Sequence, residues 1–301
     1  MVLRKQTALR AALSLAITTS ATALSAQKSR EISLGPSSPW HVALENGVCR
    51  LVRTFGDGAN KHVLQIQQWG PDNSIGLMLT GPTLEVIDED KPARIHFSEK
   101  LEFDDIAFSR ASEPNDETSL YAVVRLAERD DREEKKQLEE ISAPVPPPSG
   151  LNSLPIDLID SVTSVSVIQR DTTLEMRTGS LTDPFKVMNV CSEELLKGWG
   201  LNVAAHKTAS RRVLITNFDE IYGRFYANRP DNTYHTKGDV LVRVKVSAAG
   251  EMSDCTVIYA DELTKLSRPS CNSLARADFE PALDAAGKPM DSFHIFHVKY
   301  R

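Results

Sequence analysis

The stretch Lys237–Arg301, KGDVLVRVKVSAAGEMSDCTVIYADELTKLSRPSCNSLARADFEPALDAAGKPMDSFHIFHVKYR, decides the fold of this chain. Val240, Val242, Val244 and Val246 alternate with Leu241, Arg243, Lys245 and Ser247. A period of two places the valines on one face of a strand. Ala248-Ala249-Gly250-Glu251 follows as a turn in which Gly250 is free to take positive φ. Cys255 to Tyr259 reads as a second strand. Asp261 to Asp278 is polar and helix-compatible, with Pro269 expected to break or restart the helix. After Phe279-Glu280-Pro281-Ala282 and a turn at Gly287 to Pro289, a last strand runs from about Ser292 to Tyr300. The order is ββαβ. The valine face, Phe279, Leu283, Phe293 and Ile295 are the core candidates.

This tail resembles the C-terminal domain of TonB, the family of periplasmic energy transducers. The matching elements are the first strand with its Ala-Ala-Gly turn, the Asp254-Cys255-x-Val257 second strand and Phe279-x-Pro281-Ala282 after the helix. The Asp284-Ala285-Ala286-Gly287-Lys288-Pro289 turn also matches, and the likeness covers about a fifth of the chain. The family's small-residue step after the second strand is replaced here by Tyr259-Ala260-Asp261-Glu262. The resemblance implies contact with a periplasmic or outer-membrane protein through the last strand. The candidate contact residues are therefore Ser292, Phe293, His294, Ile295, Phe296, His297, Val298, Lys299 and Tyr300. An exposed strand of this kind can add to a partner's extended segment through main-chain hydrogen bonds. Arg211, Arg212, Arg224, Tyr222, Phe225 and Tyr226 flank the module on its N-terminal side.

The N-terminus reads as a signal peptide over residues 1–26. Arg4, Lys5 and Arg10 make a basic start, Ala11 to Ala23 is apolar, and Ala23-Leu24-Ser25-Ala26 offers cleavage after Ser25 or Ala26. The apolar run falls short of the ~20 residues of a spanning helix, so no stable membrane anchor is expected after processing. Removing three basic residues takes the net charge from −6 to about −9, which argues against nucleic acid as a partner. The expected location is the periplasm.

Four cysteines in an exported chain point to disulfides, and four allow three pairings. Cys255 and Cys271 enclose a short loop across the second strand and the helix, which favours pairing them. Cys49 and Cys191 then remain, on a strand and on a helix. Free buried thiols are the alternative.

Residues 27–200 read as a β-rich domain. Residues 27–38 look polar and loose. Strands follow at His41 to Glu45, Val48 to Phe55, His62 to Trp69, Ile75 to Leu79, Ala93 to Phe97, Ile106 to Arg110 and Leu120 to Ala127. Asn46-Gly47 is a hairpin turn, and short turns make the pattern antiparallel. A charged and proline-rich surface insertion occupies 128–150. Strands at Ser161 to Ile168 and Thr173 to Arg177 lead to a helix that begins near Thr182 and ends at Gly198-Trp199-Gly200. Residues 201–301 form the C-terminal domain, and the fold class is α+β.

No catalytic signature emerges: Gly-x-Ser-x-Gly, His-Glu-x-x-His, phosphate loops and dinucleotide fingerprints are absent. His294 and His297 lie three apart on a strand and face opposite ways, which does not suit a shared metal. Asp104-Asp105 lacks a basic or aromatic frame. The expectation is a non-enzymatic exported protein with no cofactor and no metal. A TonB-type transducer for outer-membrane transport is the first alternative, although the Pro-rich run extends only about 40 Å. A hydrolase within residues 40–200 is the second.

Overall fold

A computed structural model describes residues 29–88, 90–112, 118–127, 148–227, 238–260 and 264–300. The expected signal peptide, and all of the 128–150 insertion except its last three residues, lie outside the described residues. The strands are β1 (Arg30–Leu34), β2 (His41–Glu45), β3 (Val48–Phe55), β4 (His62–Gln68), β5 (Ser74–Thr80), β6 (Ala93–Ser98), β7 (Leu101–Ile106), β8 (Ser109–Ser112), β9 (Thr118–Arg125), β10 (Val165–Gln169), β11 (Thr172–Met176), β12 (Leu214–Ile215), β13 (Gly238–Val246), β14 (Met252–Ala260), β15 (Phe279–Glu280), β16 (Ala282–Leu283), β17 (Pro289–Met290) and β18 (Ser292–Tyr300). The helices are α1 (Ile156–Ile159), α2 (Thr182–Gly198), α3 (Val203–Lys207), α4 (Phe218–Ala227) and α5 (Thr264–Leu274). The class is mixed α+β.

Two sheets make the N-terminal part. One has the order β2-β3-β4-β5-β9-β8, the other β1-β11-β10-β6-β7. The Asn46-Gly47 hairpin forms with φ of 52° and 75°, as a primed turn requires. The two sheets share one core: Leu51, Leu64, Ile66 and Leu77 from the first meet Ile95, Phe103, Val167 and Leu174 from the second. Helix α2 adds Phe185, Met188 and Leu195 at helical spacing. The Cys49–Cys191 bridge ties this helix to β3 with Cα atoms 6.0 Å apart.

Three expectations are corrected. Residues 30–34 are not loose: Arg30 to Leu34 pairs in parallel with Thr172 to Met176, so the five-stranded sheet is not wholly antiparallel. The strand expected from Ile106 begins earlier, at Leu101, and a second starts at Ser109. Asp105, with φ of 56°, lies within β7 at the shift of register between the Phe103 and Ile106 pairs. Helix α5 runs through Pro269 without a break.

In the C-terminal part β13 lies between β14 and β18, and α5 follows β14 in the chain. Val240, Val242, Val244 and Val246 are buried with Phe296 and Val298 of β18 and with Ile221 and Phe225 of α4. The turn after β13 places Gly250 at φ 81°, and a Cβ there would come within 2.7 Å of the Phe279 carbonyl oxygen. The Cys255–Cys271 bridge closes β14 onto α5, with a Cα separation of 5.9 Å.

The opposite face of this sheet is covered as well. Register pairs Leu241 with His297, Arg243 with Ile295 and Lys245 with Phe293, and this row faces the N-terminal part. Leu241, Tyr259 and Ile295 pack against Val48, Trp69, Tyr121 and Val123 of the six-stranded sheet. Tyr259 stacks on Tyr121 with ring centroids 4.3 Å apart and lies 5.8 Å from Trp69. Arg243 sits over the Trp199 ring at 4.7 Å, and Lys245 Nζ donates to the Trp199 carbonyl at 3.1 Å. Phe293 and Ile295, expected in the tail's own core, therefore belong to this junction. Phe279 and Leu283 are half-buried at the tail's margin.

Candidate functional site

Strand β18 is an edge strand. Its inner side pairs with β13 along its whole length, Ser292 opposite Val246 and Tyr300 opposite Gly238. On its outer side no strand is paired, and no backbone group of Ser292 to Val298 bonds to another element among the described residues.

A cavity of about 320 Å³ lies against that outer side. Six consecutive residues, Ser292 to His297, line it. Successive strand residues point to opposite faces, so a cavity touched by all six must run along the strand's edge. The opposite wall comes from the N-terminal part and the connection between the two parts: Asp72, Ser74 and Arg125 beside Asn152, His206 and Arg212. Phe218 stands at the rim, half exposed.

Each wall residue is positioned by the local fold. Asp72 sits in the turn between β4 and β5, where its Oδ1 accepts from the Asn73 backbone N–H at 2.8 Å and from Asn152 Nδ2 at 2.7 Å. Arg125 ends β9, and its Nε donates to Asn73 Oδ1 at 3.0 Å. The Asn202 side chain caps α3 by accepting from the Ala205 N–H. His206, near the helix end, points its ring inward and is 4% exposed. His206 Nδ1 lies 2.7 Å from the Asn202 carbonyl, which can only accept, so Nδ1 carries the proton. Nε2 is then free to accept from the Ser292 hydroxyl at 3.1 Å. This fixes the start of β18 to α3.

Burial pushes the His206 imidazole below its ordinary pKa, against the hydrogen bond to Asn202. His294 is shifted further, down to about 4. Desolvation is the main cause; Arg212 and Arg125 add to it and Asp72 opposes it. At neutral pH His294 is an uncharged imidazole, edge-on to Phe296 at 4.7 Å, and it makes no hydrogen bond to the protein among the described residues. Desolvation likewise lowers the pKa of Arg212, opposed by Asp72.

The nine expected contact residues thus divide. Ser292 to His297 line the cavity; His297 also bonds to Asp239 at 2.5 Å. Val298 is buried in the tail core. Lys299 and Tyr300 extend the strand's backbone. Of the flanking residues, Arg212 reaches the cavity, Arg211 pairs with Glu280 at 2.6 Å, Arg224 pairs with Glu220 and Phe225 is buried. His206, Asp72 and Asn152 carried no local sequence signal; they are scattered in the chain and meet only through the junction. Elsewhere, Asp104 bonds to Arg94 at 2.8 Å, and Asp160 accepts from Thr182 Oγ1 at 3.0 Å. Both serve structure.

Comparison with protein-family models, with curated proteins and with solved structures returned no match.

Proposed function

We propose that this chain is a non-enzymatic exported protein of the cell envelope. Its segment from Gly238 to Tyr300 is a TonB-like ββαβ contact module that adds an extended segment of a periplasmic or outer-membrane protein along β18. One observation carries this reading: the unpaired outer edge of β18 runs beside a cavity for at least six residues. Unpaired main-chain groups there supply affinity, and the cavity receives alternate side chains. The two disulfides fit an oxidising compartment. Among the described residues no helix is long and apolar enough to cross a membrane. The buried junction favours a module docked on its N-terminal part over a transducer tip free on a tether.

The test uses the full chain and a phage-displayed library of random decapeptides. Selected peptides are expected to slow amide exchange between Ser292 and Val298. Peptides that protect only other strands would reject strand addition.

A further inference from the structure

The geometry points to the cavity beside β18 as a binding site for a small organic carboxylate, its anion held by Arg212 and Arg125 and its apolar part against Phe293, Phe296 and Met290. This goes beyond strand addition and does not depend on it.

Arg212 is the cation that defines the site. Other partly buried arginines of the chain have partners: Arg211 bonds to Glu280 at 2.6 Å, Arg243 to Asp254 at 3.0 Å, and Arg53 to the carbonyls of Ser38 and Thr178 at 2.8 and 2.6 Å. The guanidinium of Arg212 has no hydrogen bond or ion pair among the described residues; its Nε is buried without a partner, as are those of Arg211 and Arg243, but their terminal nitrogens are bonded and those of Arg212 are not. An unsatisfied buried donor costs free energy unless something accepts from it. The nearby acid, Asp72, already accepts from Asn73 and Asn152 and forms no salt bridge with Arg212 at contact distance. Arg125 brings a second guanidinium to the same wall. Two cations and one carboxylate leave a single positive charge, which suits a monoanion.

The fork of an arginine matches a carboxylate in two parallel bonds. His294 is uncharged at neutral pH and adds a neutral N–H to the wall. The remaining lining is largely apolar, including Leu151 and Ala282. A volume near 320 Å³ is at the small end of ligand pockets. Apolar walls with a few convergent polar groups favour an organic acid over bare phosphate. The carboxylate's source is either a free small acid or the end of a peptide chain; both offer the same chemistry.

The test is calorimetric titration of the full chain. The probes are phenylacetate, phenylacetamide, inorganic phosphate, N-acetylphenylalanine and N-acetylphenylalanine amide. Phenylacetate is expected to bind saturably, its amide not measurably, and phosphate more weakly than phenylacetate. Arg212→Gln should weaken phenylacetate about tenfold or more, as loss of a charge-assisted fork requires. If that variant does not fold, Arg125→Gln decides; its arginine is exposed, and a several-fold loss is expected there. N-acetylphenylalanine binding more tightly than phenylacetate would mark a chain terminus as the source, and the reverse order a free acid; either supports the site. Equal binding of acid and amide, phosphate binding best, no binding of phenylacetate, or undiminished binding in the folded variants would overturn it. A folded β18 variant blocked at the outer edge that still binds the selected decapeptide and keeps phenylacetate binding would reject strand addition alone.

Discussion

The two faces of the C-terminal sheet are built on different principles. One face is a row of valines closed by Phe296, Val298 and α4. The other carries Leu241, Arg243 and Lys245 on its central strand, a row whose polarity implies solvent. It is covered nonetheless, by Trp69, Tyr121 and the end of α2. Arg243 lays its guanidinium over the Trp199 ring and bonds to Asp254 and Thr256, and Lys245 donates to the Trp199 carbonyl. The difference teaches that alternation reports the face a module buries by itself. It does not report the face buried against another part of the same chain.

Breaking each face in turn separates these roles. Phe296→Ala removes a fully buried aromatic from the valine side and should cost about 3–5 kcal/mol. Leu241→Ala removes an equally buried side chain from the junction and should cost about 2–4 kcal/mol. Both are read by urea unfolding. A cost near zero for Leu241→Ala would mean that the junction is a loose contact.

Acid provides the next test. His294 has its folded pKa depressed to about 4, below the ordinary value near 6.5. Below that value the unfolded chain takes up a proton that the folded chain refuses. Stability from this group is therefore full above about pH 6.5 and is lost as pH falls to about 4, by on the order of 3 kcal/mol. His206 and His62 are lowered by burial too and act with the same sign. Of the charged groups facing His294, Arg212 and Arg125 add to the effect of burial and Asp72 opposes it. His294→Asn should be less acid-sensitive than the parent between about pH 7 and pH 4.5. An unchanged pH slope would contradict the burial assigned to this ring.

The smallest effect sharpens the junction most. A Cβ on Gly70 would run into the Trp199 ring and come within 3.0 Å of Ile295 Cδ1. Gly70→Ala should cost about 1–3 kcal/mol through overpacking, and it should alter tryptophan fluorescence because Trp199 is the group displaced. Unaltered fluorescence and stability together would place Trp199 elsewhere.

The sequence was most legible where structure is local. Alternation located β13, Asn46-Gly47 located its hairpin, and spacing paired Cys255 with Cys271. The bridge from Cys49 to Cys191 followed once those two were set aside, because a strand and a helix each carried one cysteine on an apolar element. Arg30 to Leu34 escaped notice because its short, mostly polar run gains its meaning from parallel pairing 142 residues away. Leu120 to Val124 read simply as a strand, yet its unbroken apolar run is the pattern of burial on both faces. It is the reason β9 lies between the N-terminal core and the tail. The last strand was legible as a strand, its part as a contact edge was implied only by the resemblance, and the cavity beside it was not legible. Asp72, Asn152 and Arg212 lie on separate loops and His206 on a helix, and only tertiary packing brings them to one wall.

The outer edge of β18 is proposed to receive an extended segment. Neighbouring amides on an edge strand point to opposite sides, so of His294→Pro and Ile295→Pro one must cut the bond to β13 and the other only the outer edge. Each proline variant is compared with its alanine counterpart for thermal unfolding and for binding of a selected decapeptide. The account predicts that one of the two proline variants unfolds close to its alanine control and no longer binds the peptide. A proline variant that blocks the outer amide, keeps the fold and still binds as well as its alanine control would contradict it.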